Sequence, residues 1–228
     1  MKFLAFDTST EQLSMAVCHG PATWHEQAAG GAQSSATLIP GLLALLARAG
    51  LRLQELDAIV FGSGPGSFTG LRTACSVAQG LALGAGVPVL PLPTLLAVAE
   101  EARTQHGATR VLATLDARMD EVYSMPCEWN DGCWTALADI RLQAPESLQL
   151  PDGFVLAGNA VAAYPDRLPG APGCRVLPQA QALLRLAPAA FAAGQALPPD
   201  QALPLYIRDK VAKTTEERDA EKAARLSP

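Results

Sequence analysis

The alternation of apolar and polar positions predicts three strands and a helix at the start of the chain. Lys2–Phe6 is mostly apolar, Leu13–Cys18 alternates loosely, and a third strand is predicted over Thr23–Gln27. The polar turn between the first two runs is typical of a strand hairpin. Apolar spacing near 3.6 residues then predicts a helix from Ser34 or Ser35 to Ala49, which Gly50 ends.

A glycine-rich loop follows the next predicted strand. The predicted elements are a strand over 56–61, the loop over Gly62–Arg72, a helix over 69–83, a strand over 87–90, and a helix that Pro91 and Pro93 open and that runs through Arg103. Three strands followed by helix, strand, helix and strand is the order of a ribonuclease-H-like α/β unit.

A second unit begins near Arg110. Val111–Asp116 resembles Phe3–Asp7, and in both copies a polar turn and another strand follow, here Val122–Cys127. The later predicted elements are a strand over 154–157, a helix over 159–163, a Pro- and Gly-rich stretch over 165–173, a helix over 179–193 and a Pro-rich segment over 198–204. We therefore predict two related α/β lobes, 1–105 and 106–204, followed by a charged tail over 205–228.

The charge of the chain excludes some classes of function. The 228 residues carry a formal net charge of −5 and a pI of about 5.2, so the chain lacks the overall basic field that holds nucleic acid by its phosphates. The four lysines lie at the two ends of the chain, at positions 2, 210, 213 and 222. This distribution argues against Schiff-base chemistry and against a lysine clamp on phosphate.

The cysteines and histidines form no recognisable metal or disulfide pattern. The five cysteines include no C-x-x-C pair, so we interpret them as buried, reduced thiols. His19, His25 and His106 lie far apart and form no H-x-x-x-H pair. The apolar runs are too short or too interrupted for a signal peptide or a membrane span, and we expect a soluble, cytoplasmic protein.

The loop Gly62–Arg72 has the shape of a phosphate cradle. Glycines let backbone N–H groups approach an anion, and the N-terminus of a helix follows. However, the loop has no Walker A lysine, and Ser67 stands where a dinucleotide-binding loop needs its third glycine. Ser67 or Thr69 instead fits the N-cap of the next helix.

The turn after the first strand is the other candidate half of such a cradle. Its hydroxyls and amides suit a phosphate and its carboxylate suits hydrated magnesium, whereas the simpler interpretation is a capped hairpin turn. The second copy, Asp116–Asp120, has bulky residues in place of the hydroxyls. We therefore predict no catalytic residue, no metal site and a vestigial nucleotide site at Asp7, Thr8, Ser9, Gly64 and Gly66.

The predicted helices over 34–49 and 69–83 carry one charge each, Arg48 and Arg72. A helix packed on a sheet normally shows a charged, solvated side, so we predict that both helices bury two faces. One explanation is burial between the two lobes. The explanation we favour is a helix-on-helix interface with another subunit, because small residues let helices approach closely.

Five stretches of the sequence are similar to the bacterial TsaB (YeaZ) family of tRNA threonylcarbamoyladenosine biosynthesis. They are Leu4–Thr10, Gly64–Arg72, Leu115–Tyr123, Gly158–Ala160 and Pro204–Ala212. They occur in family order from end to end of the chain, and the glycine loop is the most specific. One position departs from the family, since Ser34-Ser35 stands where the family often has a His-Ser pair.

The resemblance implies an actin-like ATPase (ASKHA) fold of two ribonuclease-H-like lobes, with the tail returning to the first lobe. It implies a non-catalytic paralogue of TsaD, the metal-dependent threonylcarbamoyltransferase, that pairs with TsaD through helices of the first lobe and is joined by the ATPase TsaE. ATP and metal would be bound by these partners, tRNA would be contacted only within the complex, and the same surface would form a homodimer when the partner is absent. The expected interface residues are Leu38, Leu42, Leu43, Leu46, Arg72, Cys75, Ser76 and Gln79.

Two enzyme functions remain as alternatives. The first is a small-molecule kinase or acyl-transfer ATPase of the same fold that uses Asp7 and the glycine loop. The second is a peptidase, which the missing histidine pair disfavours.

Overall fold

The computed structural model describes residues 1–31, 34–169 and 173–208. Within these residues the strands and helices are β1 (Lys2–Asp7), β2 (Gln12–His19), β3 (Ala22–Ala29), α1 (Ser34–Ala49), β4 (Ala58–Gly64), α2 (Phe68–Ala85), β5 (Val89–Pro93), α3 (Thr94–His106), β6 (Arg110–Arg118), β7 (Glu121–Asn130), β8 (Cys133–Ala136), β9 (Arg141–Gln143), β10 (Val155–Gly158), α4 (Ala160–Ala163) and α5 (Ala180–Ala192). Short 3-10 turns lie at Leu53–Glu55, Pro145–Ser147 and Pro199–Gln201. No helix in these ranges is long and apolar enough to span a membrane.

The first sheet has the strand order β3-β2-β1-β4-β5. β1 pairs antiparallel with β2 and parallel with β4, and it is apolar because helices cover both of its faces. Leu4 and Phe6 pack with the buried sides of α1 and α2, whereas Phe3 and Ala5 pack with α5. All four side chains are fully buried, so β1 is the centre of this half of the molecule.

The second sheet has the order β10-β6-β7-β8, and β9 also pairs with β7. β6 pairs antiparallel with β7 and parallel with β10, which repeats the pairing of β1 with β2 and β4. α3 lies between the sheets. Leu95 and Val98 of α3 pack with the second sheet, and Ala97 packs with the first. The predicted α/β class and the repeated strand arrangement thus describe both halves.

Several predicted boundaries were wrong by a few residues. β4 continues through Gly64, so the first three residues of the predicted loop belong to a strand. β5 runs from Val89 to Pro93, and Pro93 is the residue that caps α3, because its fixed φ suits the position before the first helical turn. The short strands β8 and β9 were not predicted.

The predicted boundary of the second lobe at residue 204 was wrong. α5 packs on β1, β2, β4 and β5 of the first sheet, where Leu183 joins the same buried cluster as Phe3. The turn Pro199–Gln201 then packs on α2. The chain leaves the second half before α5 because the apolar stripe of α5 covers the face of the first sheet that α1 and α2 leave open. The predicted tail is described to Arg208, and 209–228 lie outside the described residues.

Candidate functional site

The glycine loop lies directly against the turn between β1 and β2. The Ser67 backbone N–H donates to the carbonyl oxygen of Ser9 at 2.8 Å, and the Thr8 hydroxyl donates to the carbonyl oxygen of Gly70 at 2.7 Å. The structure therefore brings together the two segments that the sequence predicted as halves of a phosphate cradle. The Ser67 N–H that a phosphate would need is already bonded to the protein itself.

The glycines of the loop fit this internal contact. A Cβ atom on Gly66 would lie 2.5 Å from the Cβ of Ser9, and one on Gly70 would lie 1.9 Å from the carbonyl oxygen of Thr8. Gly64 has a φ of 120°, which favours glycine. A Cβ atom on Gly64 would lie 2.8 Å from the carbonyl oxygen of Leu205, in the C-terminal part of the chain. Close approach within the protein accounts for all three glycines.

Asp7 is enclosed at the end of β1. One carboxyl oxygen accepts hydrogen bonds from the Ser9 backbone N–H at 2.8 Å and the Ser9 hydroxyl at 2.5 Å, and the other accepts from the Thr94 hydroxyl at 3.4 Å. Burial raises the pKa of Asp7 above its ordinary value, against the opposing effect of these hydrogen bonds. A Cβ on Gly62 would lie 1.8 Å from the second oxygen. The carboxyl group is therefore closed in on the β4 side, and this residue set does not fit a nucleotide-bound cation.

A cleft of about 430 Å³ lies between the two halves of the molecule. Of the residues predicted for a nucleotide, Ser9 and Gly66 line this cleft, whereas Asp7, Thr8 and Gly64 do not. Within the described residues, no three His, Cys, Asp or Glu side chains are grouped so that they could hold a metal ion.

Asp116 occupies the position in β6 that Asp7 occupies in β1, and its environment is different. Its carboxylate accepts from the Arg118 backbone N–H at 2.8 Å and from the Tyr164 hydroxyl at 3.0 Å, and it pairs with the Arg118 guanidinium at 3.1 Å. Burial and the contact with Asp116 raise the pKa of Tyr164 to about 12. Arg118, Met119 and Asp120 all have positive φ, at 61°, 57° and 58°, and this turn directs bulky residues toward the cleft.

Known proteins share both the sequence and this architecture. The model of the TsaD family, described as tRNA N6-adenosine threonylcarbamoyltransferase, matches residues 25–164. The chain is 35% identical over 224 residues to the tRNA threonylcarbamoyladenosine biosynthesis protein TsaB of Escherichia coli K12, covering 93% of this chain and 96% of that protein. The chain belongs to the TsaB family.

Two further matches agree with the TsaB family. The Haemophilus influenzae protein of the same name is 43% identical over 123 residues, covering 54% of this chain and 52% of that protein. The structure of YeaZ from Pseudomonas aeruginosa superposes with a TM-score of 0.85 at 37% identity, covering 90% of this chain and 99% of that chain. The resemblance seen in the sequence is confirmed.

The predicted interface residues of this TsaB-family chain separate into two groups. Leu38, Leu42, Leu46 and Cys75 are at most 5% exposed, and they pack in the core between the first sheet and the helices. Their assignment to a partner surface was wrong, because apolar side chains at this helical spacing cover the sheet. Leu43 is 46% exposed, Arg72 and Ser76 are exposed, and Gln79 is half-buried.

Of the two explanations for the lack of charge on α1 and α2, the structure contradicts burial between the two lobes and leaves the favoured interface with another subunit as a prediction. Each helix has one side on the sheet and one side exposed, so burial between the halves is excluded. The exposed side is uncharged apart from Arg48 and Arg72. We call it the outer helical face, and its residues are Ile39, Pro40, Leu43, Ala44, Ala47 and Arg48 of α1 and Phe68, Thr69, Arg72, Ser76, Gly80, Leu83 and Gly84 of α2.

The segment Ala202–Arg208 was missed as part of the site. The Cys75 thiol and the Gln79 amide both donate to the carbonyl oxygen of Ala202, at 3.3 and 2.9 Å, so these side chains hold the protein's own chain. The Leu205 N–H donates to the carbonyl oxygen of Ser63 at 2.7 Å. Arg208 then donates to the carbonyl oxygen of Ala117 at 3.1 Å, across the cleft. The segment therefore bonds to both halves.

Proposed function

We infer that this chain is a non-catalytic scaffold and activating subunit of the complex that forms threonylcarbamoyladenosine next to the anticodon of tRNAs reading codons that begin with A. Its partner is the TsaD transferase, and the ATPase TsaE joins the pair. The observation that carries this proposal is the closed contact between the glycine loop and the Thr8–Ser9 turn, which leaves an enzyme-like loop bonded to its own chain. The TsaB relatives, which are tRNA threonylcarbamoyladenosine biosynthesis proteins, support the same pathway.

The fold proposed for this role is the actin-like ATPase (ASKHA) fold with two ribonuclease-H-like lobes. The order β3-β2-β1-β4-β5, with antiparallel pairs followed by parallel pairs, supports it for the first sheet. The repeated pairing of β6 with β7 and β10 supports it for the second. A duplicated fold that retains its loops after losing a nucleotide site is consistent with a paralogue of TsaD.

The outer helical face is the surface we propose for TsaD. It presents exposed apolar side chains, including Leu43 at 46% and Leu83 at 76%, among small residues that allow helices to approach. Arg48 is already paired with Glu26 at 2.7 Å, so the face offers little free charge. In the absence of TsaD the same face would form a homodimer. Its two basic residues, Arg48 and Arg72, are too few to hold tRNA by its phosphates, which agrees with tRNA contacts made only within a cytoplasmic complex.

The alternative is a small-molecule kinase or acyl-transfer ATPase that uses Asp7 and the glycine loop. It requires Asp7 to reach a cation, yet Asp7 is fully buried and both of its oxygens accept hydrogen bonds. We therefore propose that ATP and metal are bound by the partner subunits.

Reconstitution of the tRNA modification tests the proposal. Purified TsaD, TsaE and the enzyme that supplies the threonylcarbamoyl donor are assayed on a tRNA transcript with and without this chain. The proposal expects product only when the chain is present. Full activity without it would contradict the proposal.

A further inference from the structure

Arg72 is held by two aromatic rings at the edge of the outer helical face. Its guanidinium carbon lies 3.8 Å from the centre of the Phe68 ring and 6.0 Å from the centre of the Tyr206 ring. Its Nε donates to the Tyr206 hydroxyl at 2.9 Å. The two rings are 39% and 46% exposed, which is high for aromatic side chains. We call Phe68, Arg72 and Tyr206 the Arg72 cluster.

The terminal nitrogens of this guanidinium are exposed, and no residue in the described part of the chain accepts a hydrogen bond from them. Within the described residues, Arg72 makes one side-chain hydrogen bond, through Nε, and forms no ion pair. Stacking on Phe68 and the bond to Tyr206 fix the plane of the group, while both Nη atoms remain available as parallel donors. Such a fork matches the two oxygens of a carboxylate, and fixing it in advance reduces the entropy lost on binding.

The surroundings of the cluster favour a protein over a nucleic acid. A groove of about 460 Å³ runs along α2 beside Arg72, and its other lining residues are uncharged: Phe68, Thr69, Thr73, Ser76 and Val77. RNA affinity depends on several cations acting together, whereas Arg72 is the one charge of α2 and the whole chain carries −5. Exposed tyrosine and arginine beside apolar surface are typical of protein–protein anchors.

We propose that the Arg72 cluster binds an aspartate or glutamate side chain of the TsaD-type subunit. The carboxylate pairs with both terminal nitrogens of Arg72 and is flanked by the rings of Phe68 and Tyr206. Because Tyr206 belongs to the segment that follows Ala202, the anchor is assembled from α2 and the C-terminal part of the chain. This inference rests on the proposed function, since it takes the outer helical face as the surface that meets TsaD.

Calorimetric titration of the full chain with the TsaD of the same organism tests the anchor. Arg72→Lys keeps the charge but loses the fork and the ring stacking, so we expect the affinity to fall by about tenfold or more. Tyr206→Phe keeps the ring and removes the hydroxyl that holds Nε, so a smaller loss of roughly threefold is expected. Arg110→Lys is the matched control, because Arg110 also stacks on an aromatic ring, at 4.7 Å from the centre of Phe154, but lies outside the outer helical face and pairs with Glu128. The affinity of this variant for TsaD should stay within about twofold of the parent.

The outcomes separate the anchor from the proposed function. If Arg72→Lys binds TsaD as tightly as the parent while Leu43→Glu binds weakly, the anchor is wrong and the proposed function stands. If the parent chain itself does not bind TsaD, both are wrong.

Arg72→Lys and Leu43→Glu are also assayed for tRNA binding and for self-association. If Arg72→Lys weakens only tRNA binding, or only self-association, and leaves TsaD affinity unchanged, the Arg72 cluster serves that other contact and the proposal is wrong. Unchanged urea midpoints confirm that the variants are folded.

Discussion

Gly70 faces Thr8 so closely that a methyl group on Gly70 would lie 1.9 Å from the Thr8 carbonyl oxygen. The Thr8 hydroxyl in turn donates to the carbonyl oxygen of Gly70 at 2.7 Å. These two residues join the end of β1 to the first turn of α2. A loop with the composition of a phosphate cradle therefore acts here as a packing contact within the first half of the molecule.

Gly70→Ala should destabilise the protein, because the added methyl group meets backbone that cannot rotate away. We expect a loss of about 1–3 kcal/mol in the free energy of unfolding. Gly80 is the control in the same helix, since a Cβ there meets nothing within 4 Å. Gly80→Ala should gain about 0.5–1 kcal/mol through helix propensity. Urea unfolding measures both, and equal effects of the two substitutions would refute the close contact.

Asp7→Asn should change the pH dependence of stability. Burial raises the pKa of Asp7 above 3.8 in the folded state, so its contribution is fully present below pH 3.8 and is lost as the pH rises through the raised pKa. Asparagine does not ionise. The stability of the parent relative to Asp7→Asn should therefore fall as the pH rises from 3.8. Urea unfolding across this range checks the slope, and a difference that grows with pH would show that Asp7 is ionised and paired.

Glu100→Gln should show the opposite slope. Burial alone would raise the pKa of Glu100, but hydrogen bonds from Arg103, Trp134 and Arg185, at 2.8–3.0 Å, hold it below the ordinary value of 4.5. This group stabilises the fold above pH 4.5 and loses that effect as the pH falls through its lowered pKa. The substitution should cost about 1–3 kcal/mol near pH 7, because it removes the charge that accepts hydrogen bonds from the partly exposed Arg103 and Arg185. The cost should shrink in acid, and a constant cost from pH 7 to pH 3 would contradict this assignment.

Leu42 and Leu43 are adjacent residues with opposite surroundings, at 0% and 46% exposed. Leu42→Glu places a charge in the core and should cost about 3 kcal/mol or more, with loss of the native circular dichroism. Leu43→Glu should change stability by less than about 0.5 kcal/mol but weaken TsaD binding by about tenfold. Leu46→Glu should resemble Leu42→Glu. Unchanged TsaD affinity in a folded Leu43→Glu variant would remove the outer helical face as the partner surface.

The sequence predicted the helices and strands of the first half because their signals are local. α1 was predicted with its observed bounds, and its end is marked by Gly50. Which side of α1 is buried did not follow from the broad apolar arc, since leucines occupy both sides. The narrower stripe Leu38, Leu42, Leu45 and Ala49 repeats every three or four residues and is the signal that identifies the core side.

Contacts between distant parts of the chain were not predictable in this way. The return of α5 to the first sheet includes the Ser14 hydroxyl, which accepts from the Ala180 N–H at 2.9 Å. The candidate nucleotide site is closed because groups of the Thr8–Ser9 turn hydrogen-bond to the glycine loop, and this depends on how the two segments align in the folded protein. Glycine at positions 66 and 70 is equally compatible with a bound phosphate and with neighbouring backbone, so composition alone leaves both interpretations open.

The rate of threonylcarbamoyladenosine formation, measured while this chain is titrated into a fixed amount of TsaD and TsaE, tests the central claim most directly. A subunit acts by stoichiometric assembly. The rate should therefore rise in proportion to the added chain and reach its maximum at a fixed molar ratio to TsaD. A maximal rate with a small fraction of that amount would show that the chain turns over as an enzyme, and a rate independent of the chain would show that it is not a subunit of the complex.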